Sequence, residues 1–403
     1  MATRGVEVAA AKARRRLRHH ATVLAGSVAA AAAEPPPPHS QIVAMRELFE
    51  RQNGRPPPPP LAVADDGSLL DSTVAALRDG VADAVGREDF LEAERLHRAL
   101  AVLGPQEQPL RFEDCASLSL DGKADFFAKN GFCVVPKCFE GAELERLQRS
   151  WRRAQQPARE QYEAWRDTGA EVDLPHGKLW FDIPVKTLLE ESVADGGDPV
   201  LLQLLGPAPL LPVLDRIVGT PELCGVQPRT LAPDTPEVVS GYSGWHRDGE
   251  QGPTNDLLRS RGRVVKAFVY IFDVGPEQGA TSVVPGSFRL ATGPQWLTRQ
   301  YGFGENEAEG GELPVTAMPN HFKFAAKAGD CIVFDIASWH SAMPNHTGLD
   351  REAVILGYKN GSHVGRATAR TGDMPTPELL RELDERGLLS DEHKGLLREI
   401  YQP

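Results

Sequence analysis

Cysteine is scarce in this chain of 403 residues. Cys115, Cys133, Cys138, Cys224 and Cys331 are the only five, and no two form a CxxC pair. An odd, scattered set argues against a disulfide framework and a thiolate zinc site, and fits a reducing intracellular compartment. No apolar run reaches the roughly 18 to 20 residues that a membrane span needs. Positive charge is in deficit, with 44 Lys and Arg against 56 Asp and Glu and a net charge of -12. No broad basic field steers a polyanion, so nucleic acid is set aside as a partner. What the chain does have is 41% apolar residues, enough to fill the core of one large or two modest domains.

The first segment, Met1 to Glu34, is rich in Ala and Arg (Arg4, Arg14, Arg15, Arg16, Arg18) and holds Glu7 as its sole acid before Glu34. It resembles an organelle transit peptide, and equally a disordered basic tail. The expected location is intracellular, either cytoplasmic or organellar (plastid or mitochondrion). The ending Tyr401-Gln402-Pro403 argues against a peroxisomal address. Two proline runs, Pro35 to Pro38 and Pro56 to Pro60, read as semi-rigid spacers. Residues 1–68 are therefore expected to be a disordered, proline-rich targeting segment.

Beyond the spacers, Leu77, Val81 and Ala84, then Phe90, Ala93, Leu96, Leu100 and Leu103, recur at helical spacing. They predict a helical hairpin over 69–104, turning near Gly86-Arg87. The stretch Glu88-Asp89-Phe90 with Ala93 and Leu96 resembles the UVR motif, which would make the hairpin a protein-contact appendage; an ordinary amphipathic helix pair explains it as well. Next, Asp125 to Asn130 reads as a helix ending at Gly131 and running into a buried strand to Pro136. Helical periodicity returns over Glu140 to Ala154. From about residue 223 the texture turns to short β-like runs: Val264 to Val274, Thr281 to Val284, Cys331 to Ile336 and Val354 to Lys359, separated by Gly- and Pro-rich turns. Pro375 to Leu383 and Ser390 to Tyr401 read as helices again. The predicted fold is mainly β with flanking helices (α+β), a double-stranded β-helix, or jelly roll, of cupin-like type. It should span 105–366, with 367–403 as a helical extension.

Chemistry concentrates in Trp245-His246-Arg247-Asp248-Gly249 and, 94 residues after His246, in Ser338-Trp339-His340. Alternate residues on a strand share a face, so His246 and Asp248 can grip one ion together. With His340 from a distant strand they make two imidazoles and a carboxylate, a facial set suited to ferrous iron that leaves positions open. HxD alone is common by chance, and a core or surface histidine explains it as well. The order of pieces around it is more specific. Arg351 follows the distal histidine by eleven residues. Lys266 interrupts an apolar run, and burying an unpaired ammonium is costly, so it should face a cavity or snorkel at an edge.

The chain resembles the phytanoyl-CoA dioxygenase family over about residues 120 to 362. The resemblance rests on Gly131-Phe132 with Val134-Val135-Pro136, the HxD at His246 and Asp248, and Gly279-Ala280-Thr281 leading to Val284-Pro285-Gly286-Ser287. It continues through Gly329-Asp330, His340 with Pro344-Asn345, and Arg351. It implies an Fe(II)- and 2-oxoglutarate-dependent dioxygenase consuming O₂, with His246, Asp248 and His340 on iron and ascorbate as a supporting reductant. It also implies that Arg351 clamps the distal carboxylate of 2-oxoglutarate, a task for which a guanidinium fork is suited. The competing assignment for Arg351 is a surface ion pair with Asp350 or Glu352. Lys178, in His176 to Asp182, stands roughly where the family uses a lysine for the cosubstrate, and Lys266 is a second candidate. A structural role serves either lysine as well. The sequence departs from the family enzyme at Arg247, where that enzyme has Gln, and at Ala342, where it has a small hydroxyl residue. The expected reaction is hydroxylation of a small organic or lipid-like molecule with release of succinate and CO₂. The competing functions are a cupin-like metal hydrolase or isomerase, and a non-catalytic sensor recruiting a protein partner through 69–104.

Overall fold

A computed structural model describes residues 78–84, 110–168, 180–194, 198–232, 245, 247–248, 264–289, 320–362 and 374–401. The expected targeting segment 1–68 lies outside these residues. So does the expected hairpin 69–104, apart from 78–84, which are helical.

The described strands and helices follow a clear burial logic. Helices α1 (Phe112–Ala116) and α2 (Leu120–Asn130) lead into strand β1 (Phe132–Val135), followed by the long helix α3 (Gly141–Thr168). Strand β2 (Trp180–Asp182) and helices α4 (Val185–Glu191) and α5 (Leu211–Val218) precede β3 (Pro221–Leu231) and β4 (Val264–Tyr270). Then come β5 (Thr281–Val283), β6 (Phe322–Phe324), β7 (Cys331–Asp335), β8 (His340–Ala342) and β9 (Arg351–Asn360). Helices α6 (Pro377–Glu385) and α7 (Asp391–Leu396) end the series. The strands form an antiparallel six-stranded sheet in the order β1-β7-β4-β9-β3-β2 and a three-stranded sheet in the order β6-β5-β8.

Side-chain alternation divides the large sheet into two buried faces. Val265, Ala267 and Val269 of β4, with Val354, Leu356 and Tyr358 of β9, pack under the helices in one cluster. Leu379, Leu380, Leu383, Leu396 and Leu397 belong to that cluster too, so the C-terminal helices share the domain's core. Phe268 and Tyr270 of β4 and Ala353 and Ile355 of β9 point the opposite way, into a second cluster with Val283, Phe322 and Phe324 of the small sheet. Burial on both faces explains why these strands read as continuous apolar runs rather than alternating ones.

Helix α2 ends at Gly131, at φ 77°, as the sequence suggests, and starts earlier than expected, where the Ser119 side chain accepts from the Gly122 N–H. A Cβ at Gly131 would stand 2.5 Å from the Phe288 ring, so both space and backbone require glycine. Helix α3 is longer than expected because it runs through Pro157. Losing one helical hydrogen bond there is offset by burial on both sides of the proline, where Leu147, Trp151 and Ala154 are followed by Tyr162, all buried. Among the described residues no helix is long and apolar enough to cross a membrane.

Candidate metal and anion site

The inner face of the large sheet and the facing small sheet carry the chemistry. His340 opens β8 and is 4% exposed, its ring 4.6 Å from that of Phe334. Its Nδ1 lies 3.0 Å from the Ser338 carbonyl oxygen. A carbonyl can only accept, so Nδ1 carries a proton. Nε2 faces Oδ2 of Asp248 at 3.4 Å.

Asp248 does not sit in a strand, contrary to the HxD reading. It lies in a turn, held by its backbone N–H donating to the Ile336 carbonyl at 3.1 Å. The neighbouring strand β7 ends at Asp335, so the ladder that would have kept this segment extended runs out just there. His246 and Lys178 lie outside the described residues.

Arg247 was legible in the sequence only as a departure from the family. Its buried guanidinium lies 4.9 Å over the Trp339 ring, and Nη2 donates to the Ser287 carbonyl at 3.2 Å. The residue before Asp248 is thus tied to the residue before His340, and the two halves of the site are held together. Lys266 projects from the inner face of β4, 8% exposed, with Nζ 2.8 Å from Oδ2 of Asp248. The ammonium finds a carboxylate on the inner face, so it neither snorkels nor stays unpaired.

Arg351 opens β9 and is 3% exposed. Its Nη1 donates to Thr281 Oγ1 at 3.1 Å, and its buried Nε has no hydrogen-bond partner among the described residues. Burial pulls its pKa down, with the neighbouring Tyr270 opposing. The expected rival partners face the other way: Arg159 takes Asp350 at 2.6 Å and Glu352 at 3.5 Å on the helix side of the sheet. The surface ion pair weighed for Arg351 is therefore absent. A buried guanidinium without a paired carboxylate is costly unless an anion compensates it.

The register sets the spacing between the two centres. In the small sheet Thr281 stands opposite Ala342 and Val283 opposite His340. Thr281, which Arg351 meets, and His340 thus lie two residues apart on one face, about 7 Å along the strand. Tyr270 locks this geometry: its hydroxyl accepts from the Thr281 N–H at 2.9 Å and donates to the Phe324 carbonyl at 3.0 Å. On the same inner face Asp182 takes a forked pair from Arg229, at 2.9 and 3.2 Å, and accepts from Gln227 at 2.7 Å. Sequence reasoning missed this polar wall; the alternation of Gln227 and Arg229 in β3 was its only signal.

The residues present fit a divalent metal with an anionic cosubstrate: an imidazole and a carboxylate converge, and a buried guanidinium with an open Nε lies on the same inner face. Among curated proteins no relative matches the chain. Among solved structures it is similar to the non-heme α-ketoglutarate-dependent epimerase SnoN from nogalamycin biosynthesis, at 19% identity over 64% of this chain and 89% of that one, with a TM-score of 0.40. It is also similar to HygX from Streptomyces hygroscopicus, solved with nickel, 2-oxoglutarate and hygromycin B, at 18% identity over 61% and 92% with a TM-score of 0.40. The carbocyclase SnoK from nogalamycin biosynthesis is similar at 21% identity over 68% and 98%, with a TM-score of 0.38. The sequence profile described as phytanoyl-CoA dioxygenase (PhyH) matches residues 127–353, more than half of the chain. The chain belongs to the phytanoyl-CoA dioxygenase family of iron- and 2-oxoglutarate-dependent enzymes.

Proposed function

We propose that this protein hydroxylates a small organic molecule, binding iron through His246, Asp248 and His340 and the distal carboxylate of 2-oxoglutarate through Arg351. The observation that carries this reading is the buried Arg351 guanidinium with no carboxylate among the described residues and an open Nε. Ferrous iron with 2-oxoglutarate supplies activation of O₂ coupled to decarboxylation to succinate, the hard chemistry that a cofactor brings. The chain's own residues bind, orient and keep the site dry. The Ser338 carbonyl holds the His340 tautomer, Arg247 fixes the Asp248 turn against Trp339, and Thr281 with Tyr270 aims Arg351. Phe268, Phe334, Ala353 and Ile355 exclude water around them.

Lys178 and Lys266 are proposed as further contacts of the cosubstrate, and ascorbate as a supporting reductant. Asp248 favours hydroxylation over halogenation, since a carboxylate on the metal fills the position a halide would need. A hydrolase or isomerase using the same ligands has no need of a buried arginine with an open Nε. A partner role for residues 69–104 and an organellar address for the N-terminus remain proposals on sequence grounds. The test is succinate release from 2-oxoglutarate that requires both Fe(II) and O₂, then ¹⁸O₂ labelling of the product in chloride buffer once a substrate is found. Chlorinated product, or turnover independent of 2-oxoglutarate, would contradict the reading.

A further inference from the structure

The Lys266 ammonium and the His340 Nε2 face one and the same atom, Oδ2 of Asp248, at 2.8 and 3.4 Å. If Asp248 and His340 are the metal ligands proposed above, on which this inference rests, the ammonium occupies an oxygen that the metal must take. Both side chains are well buried, Lys266 at 10% and Asp248 at 15% side-chain exposure. A carboxylate so placed is costly without a counter-ion, and a divalent cation beside an ammonium is costly in turn, because like charges at contact repel strongly in a low dielectric. The same lysine therefore stabilises the metal-free site and opposes the loaded one.

The fold limits how the conflict can be resolved. Strand β4 lies inside the large sheet, with Lys266 opposite Phe334 of β7 on one side and Gly357 of β9 on the other. Its backbone cannot withdraw without breaking two ladders. The four-carbon stem can swing, so the ammonium can leave Oδ2 while the strand stays in place.

We propose that Lys266 is a displaceable counter-ion: it neutralises Asp248 while the metal is absent, and metal loading displaces it from Oδ2.

The experiment measures Mn(II) affinity by electron paramagnetic resonance, and melting temperature with and without Mn(II), for the full chain and for Lys266→Met, Lys266→Arg and Asp248→Asn. Lys266→Met should melt below the wild type when metal-free, bind Mn(II) about tenfold tighter and gain more in melting temperature on loading. Lys266→Arg keeps the charge and should follow the wild type in Mn(II) affinity. A merely structural lysine lowers melting without tightening the metal. Mn(II) affinity that is unchanged or weaker in Lys266→Met, while Asp248→Asn loses the metal, overturns the counter-ion role alone. Wild-type Mn(II) affinity in Asp248→Asn removes the metal-site reading itself, and this inference with it.

Discussion

Arg351 and Glu352 are adjacent on β9 and live in opposite worlds. Arg351 points between the two sheets, where Thr281 and Tyr270 meet it and Asp182 acts on it without a direct ion pair among the described residues. Glu352 points under the helices, where it accepts from the Trp151 indole and pairs with Arg159. Burial raises the Glu352 pKa to about 7, with the Trp151 hydrogen bond opposing and Asp350 adding to the rise. The two charges are a peptide bond apart and do not neutralise each other. The helix face pairs Glu352 with Arg159, while the inner face pairs Arg229 with Asp182 and Lys266 with Asp248 but leaves the Arg351 Nε without a hydrogen-bond partner among the described residues.

The comparison can be broken most severely at the metal. Replacing Asp248 or His340 by Ala should weaken Mn(II) or Fe(II) binding by a factor on the order of 100 or more while the fold survives, as measured by calorimetry and circular dichroism. Retained affinity would take that residue out of the site.

On the helix face, Arg159→Ala strips Asp350 and Glu352 of their shared cation, and the cost should be about 2 kcal/mol of unfolding free energy in a urea titration. Cosubstrate affinity should move little, because the loss falls on the other side of β9. A fall in 2-oxoglutarate affinity as large as the fall in stability would merge the two faces.

Tyr270→Phe sharpens the contrast from the inner side. It leaves the Thr281 N–H and the Phe324 carbonyl without the hydroxyl that serves both, costing about 1 to 2 kcal/mol, and lets Arg351 drift. The KM for 2-oxoglutarate should rise several-fold with metal affinity unchanged.

The most gradual effect should be the pH dependence of Glu352. Its folded pKa is raised, so between the ordinary carboxylate value and about 7 the unfolded chain loses a proton that the folded chain keeps. Stability should fall as pH rises through that window, by about 1 kcal/mol per unit at most, and level off above it. Glu352→Gln should flatten that slope, which urea titrations at stepped pH would detect. An unchanged slope would assign the titration to another group.

Much of the fold was legible in the sequence, and for physical reasons. The runs at Val264, Thr281, Cys331 and Val354 became β4, β5, β7 and β9, because two buried faces leave an unbroken apolar signature. Gly329 marked its turn correctly: at φ 83°, a Cβ there would come within 2.0 Å of the Phe139 carbonyl oxygen. The extension of α3 past Pro157 was not legible, since tertiary burial of Tyr162 outweighs the local penalty of proline. At the site, the residue types at Asp248, His340 and Arg351 could be picked from spacing, but their orientation could not. Which way Arg351 faces depends on strand phase relative to Asp350 and Glu352, and the local sequence offers both answers. The Asp182, Gln227 and Arg229 wall joins elements far apart in the chain, so no window of sequence contains it.

The central claim is that Arg351 holds the cosubstrate beside a metal it does not touch. Calorimetric titration of 2-oxoglutarate into the Mn(II)-loaded wild type and Arg351→Lys variant tests it directly. Lysine keeps the charge and loses the fork, so the account predicts 2-oxoglutarate affinity weaker by about 30-fold or more, with Mn(II) affinity within about twofold of wild type. Unchanged 2-oxoglutarate affinity in Arg351→Lys would contradict it.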